Sequence, residues 1–135
     1  MDALPQWPEG TVAVLTTHPA HAIPVSLALR TGDRELVIGL APRRRSLEHL
    51  RADPRCAVTV LTGGLSFTAH GRAVAFGEPD PVVAVRIVVD EIADHDHPTF
   101  EIEAGVAWRW TDETASERDA AAREALARFA DRSQS

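Results

Sequence analysis

"APRRRSLEHLRADPRCAVTVL", residues 41–61, decides how the rest of the chain is read. Leu47 and Leu50 share a face at i, i+3 spacing, Pro42 suits a first helical turn, and Asp53-Pro54 stops the segment. "RCAVTVL" (55–61) follows at once as an apolar run rich in β-branched residues, which predicts a strand. The charge at the helix start is the anomaly. A helix N-terminus already carries about half a positive charge, so each cation in the first turn costs roughly 0.3–1 kcal/mol. Arg43, Arg44 and Arg45 stand there in a row. Arginine forks, helix-start amides and the Ser46 hydroxyl together suit a phosphate, whose charge-assisted bonds would outweigh that cost. The competing reading is a solvated basic face, its repulsion screened by salt.

Outward from this helix the chain reads as β-structure. "TVAVLTT" (11–17) is a compact apolar run, and "AIPVSLALR" (22–30) puts Ile23, Val25, Leu27 and Leu29 on one face of a strand. The turn "TGDRE" leads to "LVIGLA" (36–41), which predicts a hairpin with 22–30. After 55–61 and the turn "TGG", "LSFTAHGRAVAFG" (65–77) is a long strand in which Gly71 marks a bulge or bend. "EPDP" (78–81) breaks the chain. "VVAVRIVVDEIADH" (82–95) is a further strand, "DHDHPT" (94–99) a loop, and "FEIEAGVAWRW" (100–110) a last strand reset by Gly105. From Thr111 the chain turns alanine-rich and charged, with Ala121, Ala125, Leu126 and Phe129 at helical spacing and Thr111 or Asp112 as N-cap, before the polar tail "DRSQS". Strands this closely spaced leave no room for βαβ units. The expected architecture is mainly β: one antiparallel barrel of six or seven strands, a short helix after the third and a C-terminal helix. The expected organisation is a single domain, with an arm at 1–9, the barrel at 10–110 and the helix at 111–132.

Composition narrows the function classes. The formal net charge of −6 argues against general nucleic-acid binding, and no segment reaches membrane-spanning length. The chain contains no lysine, so all its fixed side-chain cations are arginines. The lone Cys56 lies within a predicted strand and reads as a buried, inert thiol. "MDALPQWPEG" shows no basic-then-apolar leader pattern, so a cytoplasmic protein is expected.

In their order these features resemble the pyridoxamine 5′-phosphate oxidase-like family, the FMN-binding split β-barrels. "GTVAVLTT" resembles its opening strand, "HAIPVSLAL" its second, "RRRSLEHLRADPRCAVTVL" its basic residues, short helix and following strand, and "FTAHGRAVAF" the strand after that. The resemblance covers residues 9–77 well and the rest loosely. It implies a homodimer with the cofactor at the subunit interface: FMN, or in many actinobacterial members the deazaflavin coenzyme F-420. It further implies that Arg43, Arg44, Arg45 and Ser46 lie at the cofactor phosphate, with Ser46 standing where many relatives carry a lysine. The main chain of Ile23, Pro24, Val25 and Ser26 matches the segment along the flavin ring. The C-terminal substrate-holding pattern of true pyridoxamine phosphate oxidases is not recognisable, so vitamin B6 oxidation is not implied.

Other chemistry-bearing residues read more plainly. His95, Asp96 and His97 are metal-ligand types in a Pro-terminated loop without a third or fourth partner, and a solvated loop is expected rather than a metal. His18 and His21 flank the first turn; His21 reads as a turn or cofactor-edge residue. Trp108 and Trp110 share one face of the predicted last strand, as core or dimer packing, or stacked near the flavin of the partner subunit, with Trp108 the candidate cofactor-binding residue. No catalytic triad, P-loop or paired-cysteine motif is present, which suits a protein whose cofactor carries the chemistry. Two function classes follow. One is a flavin- or deazaflavin-dependent oxidoreductase; the other is a carrier or scavenger that binds a cofactor without turnover. In a haem-binding variant of the second, His21, His49 or His70 would be the ligand.

Overall fold

The structure is a computed structural model that describes residues 1–78 and 81–132, Arg132 by its backbone only. The middle of the predicted "EPDP" break and the end of the polar tail lie outside the described residues. Among the described residues seven strands form one antiparallel sheet: β1 (Ala13–Thr17), β2 (His21–Val25), β3 (Ala28–Gly32), β4 (Glu35–Leu40), β5 (Arg55–Thr62), β6 (Leu65–Gly77) and β7 (Val83–Asp94). Their order is β2-β1-β5-β6-β7-β4-β3. The two edge strands are consecutive in the chain, so the sheet has to curl until its edges approach, and a half-barrel results. Helix α1 (Arg45–Ala52) follows β4, and α2 (Glu113–Arg132) closes the chain.

Inward-facing residues alternate along each strand. Leu15, Val58, Val60, Phe67, Val85 and Ile87 fill the barrel, and Leu47 and Leu50 of α1 pack into the same core. The N-terminal arm is tied down by Leu4, whose N–H bonds Asp33 O at 2.7 Å, and by Trp7, whose Nε1 donates to Ala28 O at 3.0 Å. A smaller cluster lies on the outer face of β4 and β7, where Val37 and Ala84 meet Leu126 and Ala130 of α2. β4 is thus covered on both faces, which explains the unbroken apolar run "LVIGL". On α2 the buried stripe is Ala122, Ala125, Leu126 and Ala130; Ala121, expected in that stripe, faces solvent. Asp112 caps this helix, its Oδ1 accepting the Thr114 N–H at 2.9 Å. Asp112→Ala should cost about 1 kcal/mol of stability in urea unfolding.

Four expectations change. First, residues 22–30 are two strands, not one. Ile23 and Val25 enter the barrel core, but after Ser26 the alternation slips by one: Ala28 points inward and Leu27 and Leu29 join the cluster under α2. The hairpin partner of β4 is therefore β3, and α1 follows the fourth strand rather than the third. Second, residues 100–110 form no strand. They run past the β5–β6 hairpin, whose strands are already paired on both sides, so the segment finds one backbone bond from Gly64 N to Ile102 O and one isolated bridge, His97 to Phe100.

Third, Pro42 is outside α1. Arg44 N bonds Ala41 O at 3.1 Å, which makes 41–44 a turn with Pro42 at its second position, where a fixed φ is favoured. Fourth, the three arginines are not stacked in one helical turn. Arg43 is in the turn, Arg44 is the N-cap and Arg45 opens the helix, while Glu48 supplies an acid in the first turn.

Two expectations hold in detail. The register of β6 against β7 shifts between His70 and Gly71 and again between Ala73 and Ala75, so Gly71 does sit at a bulge. Cys56 is buried, and burial pushes its thiol up to about 12. At pH 8 the folded chain should leave this thiol unmodified by a maleimide on a timescale that labels the urea-unfolded chain completely.

Candidate functional site

The β2–β3 break and the β4–α1 turn meet at one end of the barrel, under the first half of α2. Between them lies a cleft of about 510 Å³, within the range of about 300–1,000 Å³ usual for small-molecule sites. One wall is Pro24, Val25, Ser26 and Leu27; the floor is Gly39, Leu40, Ala41 and Val82; the other wall is Trp110 with Ala115, Arg118, Asp119 and Ala122 of α2. Arg44 stands at the β4–α1 side. Gly39 keeps the floor low: a Cβ there would come within 3.3 Å of Leu27 and 3.5 Å of Val82.

Of the residues singled out from sequence, the fold brings Pro24, Val25, Ser26 and Arg44 together on this cleft. Ile23 is turned into the barrel core beside them. Arg43 and Arg45 are exposed and off the cleft wall. Ser46 is fully buried and its Oγ has no hydrogen-bond partner among the described residues. An uncapped helix start, an orphaned buried hydroxyl and the guanidinium of Arg44 thus lie within three residues. Trp108 is not on the cleft. Its Nε1 donates to Gly10 O at 2.9 Å, and it packs edge-on against Trp110, ring centroids 5.2 Å apart. Trp110 is the indole that lines the cleft, and the tandem spacing concealed this because the segment is not a strand.

Three groups in the cleft wall carry charge. Asp119 is paired with Arg123 at 3.2 Å, and Arg123 also reaches Glu9 at 3.0 Å. Arg44 and Arg118 form no ion pair among the described residues. On an acidic chain, this cleft combines apolar walls with two uncommitted cations. Its chemistry is that of a binder of an anionic, largely apolar molecule. Among the described residues no histidine or cysteine lines it.

The histidines are placed elsewhere. His95 Nε2 bonds Thr68 Oγ1 at 2.7 Å, and His97 Nδ1 bonds Thr99 Oγ1 at 2.8 Å while stacking on Phe100. His49 Nδ1 bonds the buried Thr17 Oγ1 at 3.0 Å, with the His21 ring edge-on at 5.1 Å. Among the described residues no three His, Cys, Asp or Glu side chains are grouped to hold a metal, and no helix is long and apolar enough to cross a membrane. At the end of α1, Asp53 accepts hydrogen bonds from the Arg55 side chain and amide, which hold its carboxyl down at about 2.

No protein-family profile and no curated protein matches the chain. Solved structures do match. A candidate pyridoxamine 5′-phosphate oxidase from Listeria innocua aligns with a TM-score of 0.53 at 18% identity, over 64% of this chain and 90% of the other. The flavin reductase PheA2 gives 0.56 at 12% identity, over 76% and 91%. Nitrilotriacetate monooxygenase component B from Mycobacterium thermoresistibile gives 0.51 at 14%, over 78% and 87%. The chain shares the split-barrel fold of these proteins, as the resemblance of its strands and short basic helix implied.

Proposed function

We propose that this chain is a flavin-dependent oxidoreductase of the split-barrel type, holding FMN in the cleft between the β2–β3 break and α2. The observation that carries the reading is the convergence of Pro24, Val25 and Ser26 with an uncommitted Arg44 on one apolar cleft. In this reading Arg44 takes the phosphate, with the helix-start amides beside it. Ser46 Oγ is a further buried donor on the same turn. The main chain at 24–26 and the Trp110 indole bound the ring, and Leu27, Leu40 and Val82 keep water from its edge. A bound flavin supplies the hydride or electron chemistry, and the protein contributes position and a dry wall. A homodimer completing the site from a second copy belongs to the same proposal, as does a cytoplasmic location. The deazaflavin coenzyme F-420 is the alternative occupant, since it too brings a phosphate and a tricyclic ring.

The spectrum of the purified chain titrated with FMN tests this. Quenched flavin fluorescence with saturation, followed by reduction of the bound flavin by a nicotinamide donor, is the expected result. No binding at high micromolar FMN would remove the reading. A second reading, a carrier without turnover, is favoured by one observation: among the described residues, the one carboxylate lining the cleft, Asp119, is engaged by Arg123. Saturable FMN binding with no reduction by any donor would establish it.

A further inference from the structure

Arg118 is the cation in the cleft that a single phosphate at Arg44 leaves without a role. It projects from α2, whereas Arg44 belongs to the β4–α1 turn, so the two approach the cleft from different elements. The helix offers Arg118 no partner of its own. Arg123 and Arg128 each have an acid four residues back, Asp119 and Glu124, while the positions three and four from Arg118 are Thr114, Ala115, Ala121 and Ala122. Ala115 and Ala122 also line the cleft, so the flanking surface is low and apolar. The neighbouring Asp119 is held by Arg123. A guanidinium that forms no ion pair among the described residues, on a cleft also lined by Trp110 and two alanines, suits an acid whose remaining body is apolar or aromatic.

We propose that Arg118 anchors a second acidic group, the carboxylate of an apolar or aromatic acid that enters the cleft beside the molecule held at Arg44. This rests on the flavin reading only for what occupies Arg44. It names the substrate class of the site: small acids with an apolar body. Arg118 holds the carboxylate through paired N–H bonds, and Trp110 lies alongside the body. No bond is made or broken by Arg118 itself.

Benzoate and its neutral counterpart benzamide are the probes, titrated onto the FMN-saturated chain and read from the visible flavin spectrum, and onto the flavin-free chain by calorimetry. Benzoate should bind, and benzamide at least about tenfold more weakly. Arg118→Gln should remove that preference and cost benzoate far more than it costs FMN, while Arg118→Lys keeps part of it as a point charge. Benzoate binding equally to the wild type and Arg118→Gln, or to neither form of the wild type, overturns the proposal. So does an FMN loss in Arg118→Gln as large as in Arg44→Gln, because both arginines would then serve one phosphate. If FMN fails to bind, the flavin reading falls, and the calorimetric arm still decides Arg118.

Discussion

Gly71→Ala should destabilise the chain by about 3 kcal/mol or more, seen as a lower urea midpoint at unchanged slope. A Cβ at this position would lie 2.2 Å from Val88 O, 3.0 Å from Val88 C and 3.1 Å from Val89 Cα. All three are backbone atoms, so no side chain can turn aside. The crowding is a consequence of the bend. His70 faces Glu91 and Gly71 faces Val89, which leaves Asp90 as the extra residue on β7. Asp90 is fixed in place by Arg72 through its carboxylate and by Arg34 Nη1 through its carbonyl at 2.7 Å. Three residues on, Val74 is the extra residue on β6, so the ladder is bent once from each side. Relieving the clash would mean unpairing the two longest strands of the sheet. Gly32→Ala is the matched control: its Cβ would meet only Glu35 Cβ at 3.7 Å, an ordinary contact, and a change well under 1 kcal/mol is expected. Gly71→Ala as mild as that control would mean the bulge is misplaced.

How much of this was legible in the sequence depended on whether the deciding interaction was local. The runs 55–61 and 65–77 and the β-branched stretch 82–95 carried their own periodicity and composition, and all three form strands. Gly71 announced its bulge because a glycine inside an apolar strand has few other reasons to be there. Cys56 was readable as buried because it interrupts nothing in "RCAVTVL". The failures are non-local. The slip after Ser26 is invisible in "AIPVSLALR", where period two continues unbroken, because it is set by α2 offering Leu27 and Leu29 a second apolar surface. The segment 100–110 has a strand's alternation but runs past the β5–β6 hairpin, whose strands are already paired on both sides, which a chain cannot show in one dimension.

The site followed the same division. Arg44 came from an unusual run of arginines, and Pro24, Val25 and Ser26 from the family resemblance; the fold brings all four to one cleft. Arg118 and Asp119 were missed because α2 joins the cleft only through tertiary packing, and Trp110 was read with Trp108 on a strand that does not form. One signal was present for Arg118: no acid three or four residues away in a helix otherwise dense with acids. The arginine row also changed meaning. It looked like a helix begun with three wrong charges, and the Pro42 turn puts Arg43 outside the helix, with Arg44 at its N-cap and Arg45 opening it.

Arg44→Gln is the second large effect. A charge-assisted bond to a phosphate nets about 1.5–3 kcal/mol, so its loss should weaken FMN about ten- to a hundredfold. Arg44 is exposed at the N-cap, makes no ion pair among the described residues and donates no side-chain bond to the helix, so the fold should be indifferent to the change. Riboflavin has the same ring and ribityl chain without the phosphate, and Arg44 has nothing to offer it.

Titrating FMN and riboflavin onto the wild type and onto Arg44→Gln, followed by flavin fluorescence at fixed ionic strength, tests the central claim most directly. The account predicts that the wild type prefers FMN by at least about tenfold and that Arg44→Gln brings the two ligands to nearly the same affinity. Equal binding of both by the wild type, or an FMN preference that survives the loss of Arg44, would contradict it.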